Sequence, residues 1–71
     1  MTNTTLNLIK ENIKKYRKLM NLTQNELSFK ANISCDYLSE IERGKCTPSL
    51  KRLIIIAQCL EIEPYKLFIQ E

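Results

Sequence analysis

The chain has 71 residues, with eleven Lys and Arg against eight Asp and Glu, no His, and a formal net charge of +3. Its hydrophobic fraction of 44% is typical of a folded chain, and the length permits one small domain spanning residues 1–71. The absence of His removes the commonest general base and the usual imidazole ligand of zinc. We therefore expect a protein that is not an enzyme and that binds neither a metal nor a cofactor.

Cysteine spacing and hydropathy narrow the class of protein further. The three cysteines, Cys35, Cys46 and Cys59, form no C-x-x-C motif, so free thiols are expected rather than a disulfide framework. The longest apolar run, Leu53 to Ala57, is far shorter than the roughly 18 residues of a membrane span. No basic start followed by an apolar stretch is visible at the N-terminus. These features predict a cytoplasmic protein with no membrane partner.

The first half of the chain reads as two helices. Apolar residues recur every three or four positions from Leu6 to Met20, which predicts an amphipathic first helix. Thr23 and Glu26 have the spacing of a capping box, in which the Thr side chain accepts from a first-turn N–H and the Glu side chain reaches back. A short second helix is therefore expected to begin there and to continue to about residue 30.

Three more helices are expected in the second half. Ser34 is a candidate N-cap and Gly44, the one glycine, suits the positive φ of a helix end, so a third helix lies between them. Ser49 can cap a fourth helix, whose inward face would begin at Leu50. Pro64 fits the first turn of a fifth helix. The expected fold class is all-α, with five helices.

Three segments carry a family resemblance: TQNEL at 23–27, YLSEIERGK at 37–45 and PSL at 48–50. As a set they resemble the lambda-repressor/Cro (Xre) helix-turn-helix family over about 13–68, with the helix-turn-helix motif at about 23–43. The resemblance implies a five-helix DNA-binding domain whose partner is double-stranded DNA and which usually forms a homodimer. No small-molecule effector is evident.

The resemblance also implies which residues touch DNA. Gln24 begins the second helix, where free N–H groups and the helix dipole favour a phosphate. The outward positions of the third helix would read bases in the major groove, and the residues just after it would contact phosphates. The implied DNA-contacting residues are Gln24, Ser34, Cys35, Asp36, Tyr37, Ser39, Glu40, Arg43, Lys45 and Thr47.

Two acids on the reading face depart from the family's usual choice of side chains. A carboxylate accepts a hydrogen bond from cytosine N4, so Asp36 or Glu40 would specify a C·G pair. The alternative is that Asp36 only interacts with the helix dipole and that Glu40 pairs with a neighbouring Lys or Arg. Cys35 also has two interpretations: a thiol whose oxidation blocks docking, or a small inert contact residue.

Two further groups of residues have implied structural roles. In the family an Arg in the first helix pairs with a Glu at the end of the third, and Arg17 and Glu42 match those positions, so we expect a structural ion pair. The tail carries more apolar residues than one small core needs, and family dimers often pair through C-terminal helices. The expected dimer interface comprises Ile55, Ile62, Tyr65 and Ile69, whereas Phe68 is expected to seal the core.

These observations predict a sequence-specific transcriptional regulator, most simply a repressor, that acts as a homodimer on an inverted-repeat operator through the major groove. The alternative is a protein-interaction module or antitoxin-like partner with the same fold, whose acidic third helix faces a protein. A nuclease is disfavoured because the acids lack metal-site spacing and no His is present to activate a nucleophile. Repression and activation are not separated by the sequence.

Overall fold

The computed structural model describes the backbone of residues 2–70 and the side chains of residues 5–70. Within that range the fold contains helices and no strand, so the predicted all-α class is confirmed. No helix in this range combines the length and apolar content of a membrane span. The elements in chain order are α1 (Thr2–Leu19), α2 (Gln24–Ala31), α3 (Cys35–Glu42), α4 (Leu50–Cys59) and a C-terminal 3-10 helix (Pro64–Phe68).

The predicted count of five helices is wrong, because the fifth segment is a five-residue 3-10 helix and the described residues contain four α-helices. Its N-cap, Glu63, makes no side-chain capping bond, and Pro64 has no N–H to donate. The backbone is already extended at Ile69, with φ −119° and ψ 158°. So short a segment closes few i→i+4 bonds, and the tighter i→i+3 pattern forms instead.

The predicted N-caps are confirmed at all three helix starts. Thr23 accepts from the backbone N–H of Glu26 at 3.0 Å, and the Glu26 side chain accepts from the Thr23 N–H at 2.8 Å, which completes the capping box. Ser34 caps α3 and Ser49 caps α4 in the same way, each accepting from the third helical N–H. Local sequence therefore determines where α2, α3 and α4 begin.

A residue with left-handed backbone conformation follows α2, and another follows α3. Asn32 follows α2 with φ 58° and ψ 44°, a conformation that Asn tolerates better than most residues. Gly44 follows α3 by two residues with φ 79°. A Cβ at Gly44 would lie 3.1 Å from Cδ of Lys10, so the missing side chain lets α1 approach the end of α3.

One core joins all five elements. Two apolar residues that sequence periodicity assigned to inward faces, Leu6 and Leu50, are exposed because they lie at the outer ends of their stripes. Phe68 does not seal the core: it is 37% exposed, while its neighbour Leu67 is fully buried. The core residues are Ile9, Ile13, Leu27, Ala31, Leu38, Ile41, Leu53, Ile56, Ala57, Leu60 and Leu67.

Candidate nucleic-acid interface

The turn between α2 and α3 fixes the angle between these two helices. The N–H of Asn32 donates to Phe29 O at 3.2 Å, and the N–H of Ile33 donates to Ser28 O at 3.0 Å, so the chain leaves α2 in a defined direction. Leu27 of α2 and Leu38 of α3 are fully buried in the shared core. The two helices therefore form a rigid helix-turn-helix unit, with the opposite side of α3 facing solvent.

The outer side of α3 carries the predicted base-reading residues. Asp36 and Glu40 are exposed, and Cys35 and Ser39 are partly exposed, because the buried positions of the helix are taken by other residues. Asp36 lies in the first turn, where the positive end of the helix dipole stabilises an acid. The structure thus brings these four side chains to one accessible region, which is the geometry that groove contact requires.

Flanking that region, Ser34 is exposed and its hydroxyl accepts the N–H of Tyr37 as the N-cap of α3. Tyr37 itself is partly buried against the core. Its ring lies 5.7 Å from the guanidinium carbon of Arg52, which comes from the first turn of α4. Arg52 was absent from the predicted contacts, although it lies in the basic run 43–52 that could have indicated it.

The two exposed acids of α3, Asp36 and Glu40, have no basic partner among residues 5–70. Lys10 pairs with Glu11 at 3.8 Å and Arg17 pairs with Glu42 at 2.7 Å, and neither of these pairs includes Asp36 or Glu40. The charge of Glu40 instead acts on the Cys46 thiol, whose pKa is raised first by burial and then by this carboxylate. Among the side chains of residues 5–70, neither of these ion pairs supplies a Lys or Arg partner for Glu40.

Glu42 forms the centre of a network that connects three helices. Its carboxylate is 3% exposed and accepts from Arg17 Nε at 2.7 Å, from Arg17 Nη2 at 3.0 Å and from Gln24 Nε2 at 3.0 Å. Arg17 Nη1 also donates to the carbonyl of Leu22 at 2.9 Å, between α1 and α2. This bidentate pair, with its added amide donor, fixes α1, α2 and α3 relative to one another.

Gln24, predicted from the sequence as a phosphate contact, therefore has a second partner. Its side-chain nitrogen carries two hydrogens, and the bond to Glu42 uses one of them. The other hydrogen is not used by any neighbour within residues 5–70 and remains available to a phosphate oxygen. The bond to Glu42 was not predicted, because the two residues are 18 positions apart and meet only through the packing of α2 on α3.

Exposed basic and hydroxyl groups follow α3 in the chain. Arg43, Lys45 and Thr47 are all exposed in the loop between α3 and α4, and the segment 43–52 contains no acid. Lys10 approaches the same loop from α1, as its stem packs beside Gly44. Lys10 is thus a further candidate phosphate contact, which the excess of five basic residues over one acid in residues 1–20 could have indicated.

The residues predicted for the dimer interface fall into two groups. Ile55 and Ile62 are partly buried and pack against the core, so most of their surface is already used within one chain. Tyr65 and Ile69 are exposed. Phe68 is exposed beside them, so the accessible apolar surface of the C-terminal segment comprises Tyr65, Phe68 and Ile69.

Known proteins are similar to this chain in sequence and in fold. Residues 13–67 match a family model described as helix-turn-helix. The chain is 40% identical over 63 residues to an uncharacterised HTH-type transcriptional regulator of Methanocaldococcus jannaschii, covering 89% of this chain and 96% of that protein. It is 45% identical over 53 residues to the immunity repressor of Bacillus phage phi105, covering 75% of this chain but 37% of the repressor.

Among solved structures, the restriction-modification controller protein C.AhdI from Aeromonas hydrophila superposes with a TM-score of 0.85 at 30% identity. The superposition covers 89% of this chain and 96% of the controller protein. A hypothetical transcription factor from Neisseria superposes with a TM-score of 0.88 at 22% identity, which shows the shared fold.

Proposed function

Because the chain belongs to the helix-turn-helix family of lambda-repressor/Cro type, we propose that it is a sequence-specific DNA-binding transcriptional regulator. The observation that carries the proposal is the outer side of α3, which is exposed, rigidly supported by α2 and followed by a basic loop. An α-helix of this kind fits the major groove of B-DNA. The similarity to a phage immunity repressor favours repression, by occupying a promoter, over activation.

In the proposed complex, phosphate contacts supply affinity. Gln24 approaches one backbone segment with its remaining N–H and with the N-terminal N–H groups of α2. Arg43, Lys45 and Thr47 approach the backbone at the other end of the reading region. Since Asp36 and Glu40 repel phosphates, these flanking groups must provide the electrostatic attraction that the reading face lacks.

Base choice then comes from the side chains on the outer side of α3. Asp36 and Glu40 accept hydrogen bonds from the cytosine N4 amino group, the one strong donor that C·G offers to a carboxylate in the major groove. Ser39 and Cys35 are small enough to let the helix approach the base edges. The proposal therefore predicts an operator in which C·G pairs lie opposite α3.

We also propose that the regulator acts as a homodimer on an inverted repeat. Two copies of α3 would enter successive major grooves about 34 Å apart, one helical turn of DNA. Support comes from the exposed apolar side chains of Tyr65, Phe68 and Ile69, which a monomer leaves in contact with water. A twofold dimer buries the same patch on both copies.

A second candidate function is a protein-interaction module, with an antitoxin-like partner as one form of it. The observation that favours it is the pair of acids, Asp36 and Glu40, on the face that would meet DNA. This candidate predicts weak DNA binding with a flat dependence on salt, because few phosphates would be neutralised.

The test is selection from a randomised duplex library at about 0.15 M salt, where exposed charges interact over about 8 Å. The expected result is an enriched inverted repeat with C·G pairs in each half-site. A variant with Arg43→Ala and Lys45→Ala serves as the matched control, since it keeps the α3 reading face but should enrich weakly. A pool that stays random with the wild-type chain contradicts the proposal and favours the interaction module.

A further inference from the structure

Asn12 is a buried polar residue of α1 that the sequence analysis did not single out. It is 5% exposed, and its side-chain amide nitrogen donates to the carbonyl oxygens of Ile69 at 2.8 Å, Leu67 at 3.0 Å and Lys66 at 3.2 Å. The acceptors lie 54 to 57 positions away in sequence. One side chain near the start of the chain thus holds the C-terminal segment.

The acceptors explain why a polar residue is buried here. The last carbonyl groups of a helix have no N–H partner within the helix, and a five-residue 3-10 helix has few internal bonds. An unsatisfied buried carbonyl costs free energy, so a donor from outside the segment is needed. The two hydrogens of the Asn12 amide are shared among three acceptors, an arrangement common at helix ends.

The hydrogen bonds of Asn12 hold the backbone of a segment whose side chains divide between core and solvent. With the carbonyls of Lys66, Leu67 and Ile69 held against α1, the side chain of Leu67 is fully buried in the core. Tyr65 and Phe68 are left exposed, as is the side chain of Ile69. The segment that Asn12 binds therefore also carries the exposed apolar side chains of Tyr65, Phe68 and Ile69.

We propose that Asn12 is a positioning residue for dimerisation: it fixes the C-terminal segment so that Tyr65, Phe68 and Ile69 present one apolar face to a second copy of the chain. The proposal rests on the homodimer proposed above. It assigns a role to a residue that touches neither DNA nor the partner.

A second copy is the occupant that the charges beside this face favour. Glu63 is exposed and Lys66 is partly exposed, one on each side of Tyr65 in the sequence. In a twofold interface each copy meets the same patch, so Glu63 of one chain can pair with Lys66 of the other. A patch that carries both an acid and a base is self-complementary in charge, which suits an identical partner.

Asn12 is separate from the DNA-reading unit. Its described hydrogen bonds all go to residues 66–69, whereas α2 and α3 are held to α1 through Arg17 and Glu42. Loss of the Asn12 amide should therefore release the C-terminal segment and leave the outer side of α3 in place. Dimerisation and half-site recognition become separable measurements.

The experiment compares Asn12→Ala and the milder Asn12→Ser, which keeps one short donor, with wild type. Asn7→Ala is the matched control, because Asn7 lies on α1 but is exposed. Sedimentation equilibrium without DNA gives the dimer dissociation constant, and fluorescence anisotropy gives the affinity for a single half-site.

We expect Asn12→Ala to raise the dimer dissociation constant about tenfold, the factor that corresponds to losing one to two buried hydrogen bonds. Asn12→Ser should fall between it and wild type, and Asn7→Ala should match wild type.

Two further measurements, half-site affinity and amide hydrogen exchange, distinguish a role of Asn12 in dimerisation from a role in folding alone. Half-site affinity should be unchanged in Asn12→Ala, and faster exchange should be confined to residues 64–70, with 35–42 unaffected. If Asn12→Ala does not fold, Asn12→Ser provides the same comparison. A dimer constant that neither variant changes overturns the role of Asn12 and leaves the homodimer standing. A wild-type chain that stays monomeric overturns both, and a parallel loss of dimerisation and half-site binding assigns Asn12 to the fold alone.

Discussion

At the scale of single residues, Glu42 shows how a buried charge is tolerated in a small domain. Burial of an unpaired carboxylate is costly, but here three donors from two residues meet its two oxygens. Arg17 of α1 neutralises the charge and Gln24 of α2 adds the third hydrogen bond, so the carboxylate has its full set of donors only when three helices are assembled. The network therefore links folding to the position of α3.

Replacing Arg17 by Met should strand the Glu42 charge in the core. We expect the free energy of unfolding to fall by about 3 kcal/mol, since removing one partner of a buried pair leaves an uncompensated charge. Urea denaturation followed by circular dichroism measures this. The double variant Arg17→Met, Glu42→Leu should recover part of the loss, because it removes both charges.

Glu40→Ala is the control for that experiment, as it removes an exposed acid from the same helix and should change stability by less than about 0.5 kcal/mol. The structural role of the pair would be wrong if Arg17→Met unfolded at the wild-type urea concentration but no longer bound DNA.

Asp36 allows a test of base readout at the same scale. Asp36→Asn replaces a charged carboxylate, which only accepts hydrogen bonds, by a neutral amide with one weaker acceptor and an NH₂ donor. It also removes one negative charge from the reading face. If Asp36 accepts from cytosine N4, the variant should lose about 1–3 kcal/mol of preference for its C·G pair. Binding to random DNA should strengthen at the same time, because the variant repels phosphates less.

Repeating the library selection with Asp36→Asn measures both effects, with Glu61→Gln as a control that removes an exposed acid outside α2 and α3. An unchanged base preference together with stronger binding everywhere would restrict Asp36 to the helix dipole.

At the scale of elements, the starts of helices were predictable and the C-terminal segment was not. Capping depends on residues three positions apart, so Thr23 with Glu26 and the serines Ser34 and Ser49 could be identified from sequence alone. The carbonyls at the end of the 3-10 helix are instead bound by the side chain of Asn12, more than 50 positions away. A polar residue beside an amphipathic stripe gives no indication of so distant a partner.

Gly44, two residues after the end of α3, is a position where substitution should lower the stability of the fold. Gly44→Ala places a Cβ at φ 79°, a conformation that L-residues disfavour, and within 3.1 Å of the Lys10 stem. We expect a loss of about 1–2 kcal/mol, because left-handed backbone strain dominates while the flexible Lys10 side chain can shift. Thermal unfolding at fixed protein concentration measures the change.

The matched variant is Asn32→Gly at the end of α2, where φ is 58°. Glycine adopts this conformation without steric cost, so the melting temperature should stay close to that of wild type. Equal melting temperatures for Gly44→Ala and wild type would show that the end of α3 does not require a left-handed residue.

At the scale of the whole molecule, acidic and basic residues are concentrated in different segments of the chain. The segment 21–42, which contains α2 and α3, has one base and four acids, whereas 43–52 has four bases and no acid. In the proposed complex, DNA affinity would come from the loop after α3 and from Lys10 beside it, and the exposed acids on α3 would limit binding to sites that offer suitable donors. Specificity in that complex would be gained partly by repulsion of other sequences.

The family and the all-α class could be predicted from the sequence because their motifs are local in the chain. The association of Gln24 with Glu42 and the approach of Lys10 to Gly44 could not, as both depend on how whole helices pack. The division of the tail into buried Leu67 and exposed Phe68 follows from the same long-range packing.

In the proposed dimer, two copies of α3 read successive major grooves on one face of the DNA. The most direct measurement inserts about five base pairs, half a helical turn, between the half-sites of the selected operator and compares binding by fluorescence anisotropy. We predict that affinity falls to that of a single half-site, because the two half-sites then lie on opposite faces of the duplex. Equal affinity for the original and the lengthened operator would contradict the binding of both half-sites by one dimer.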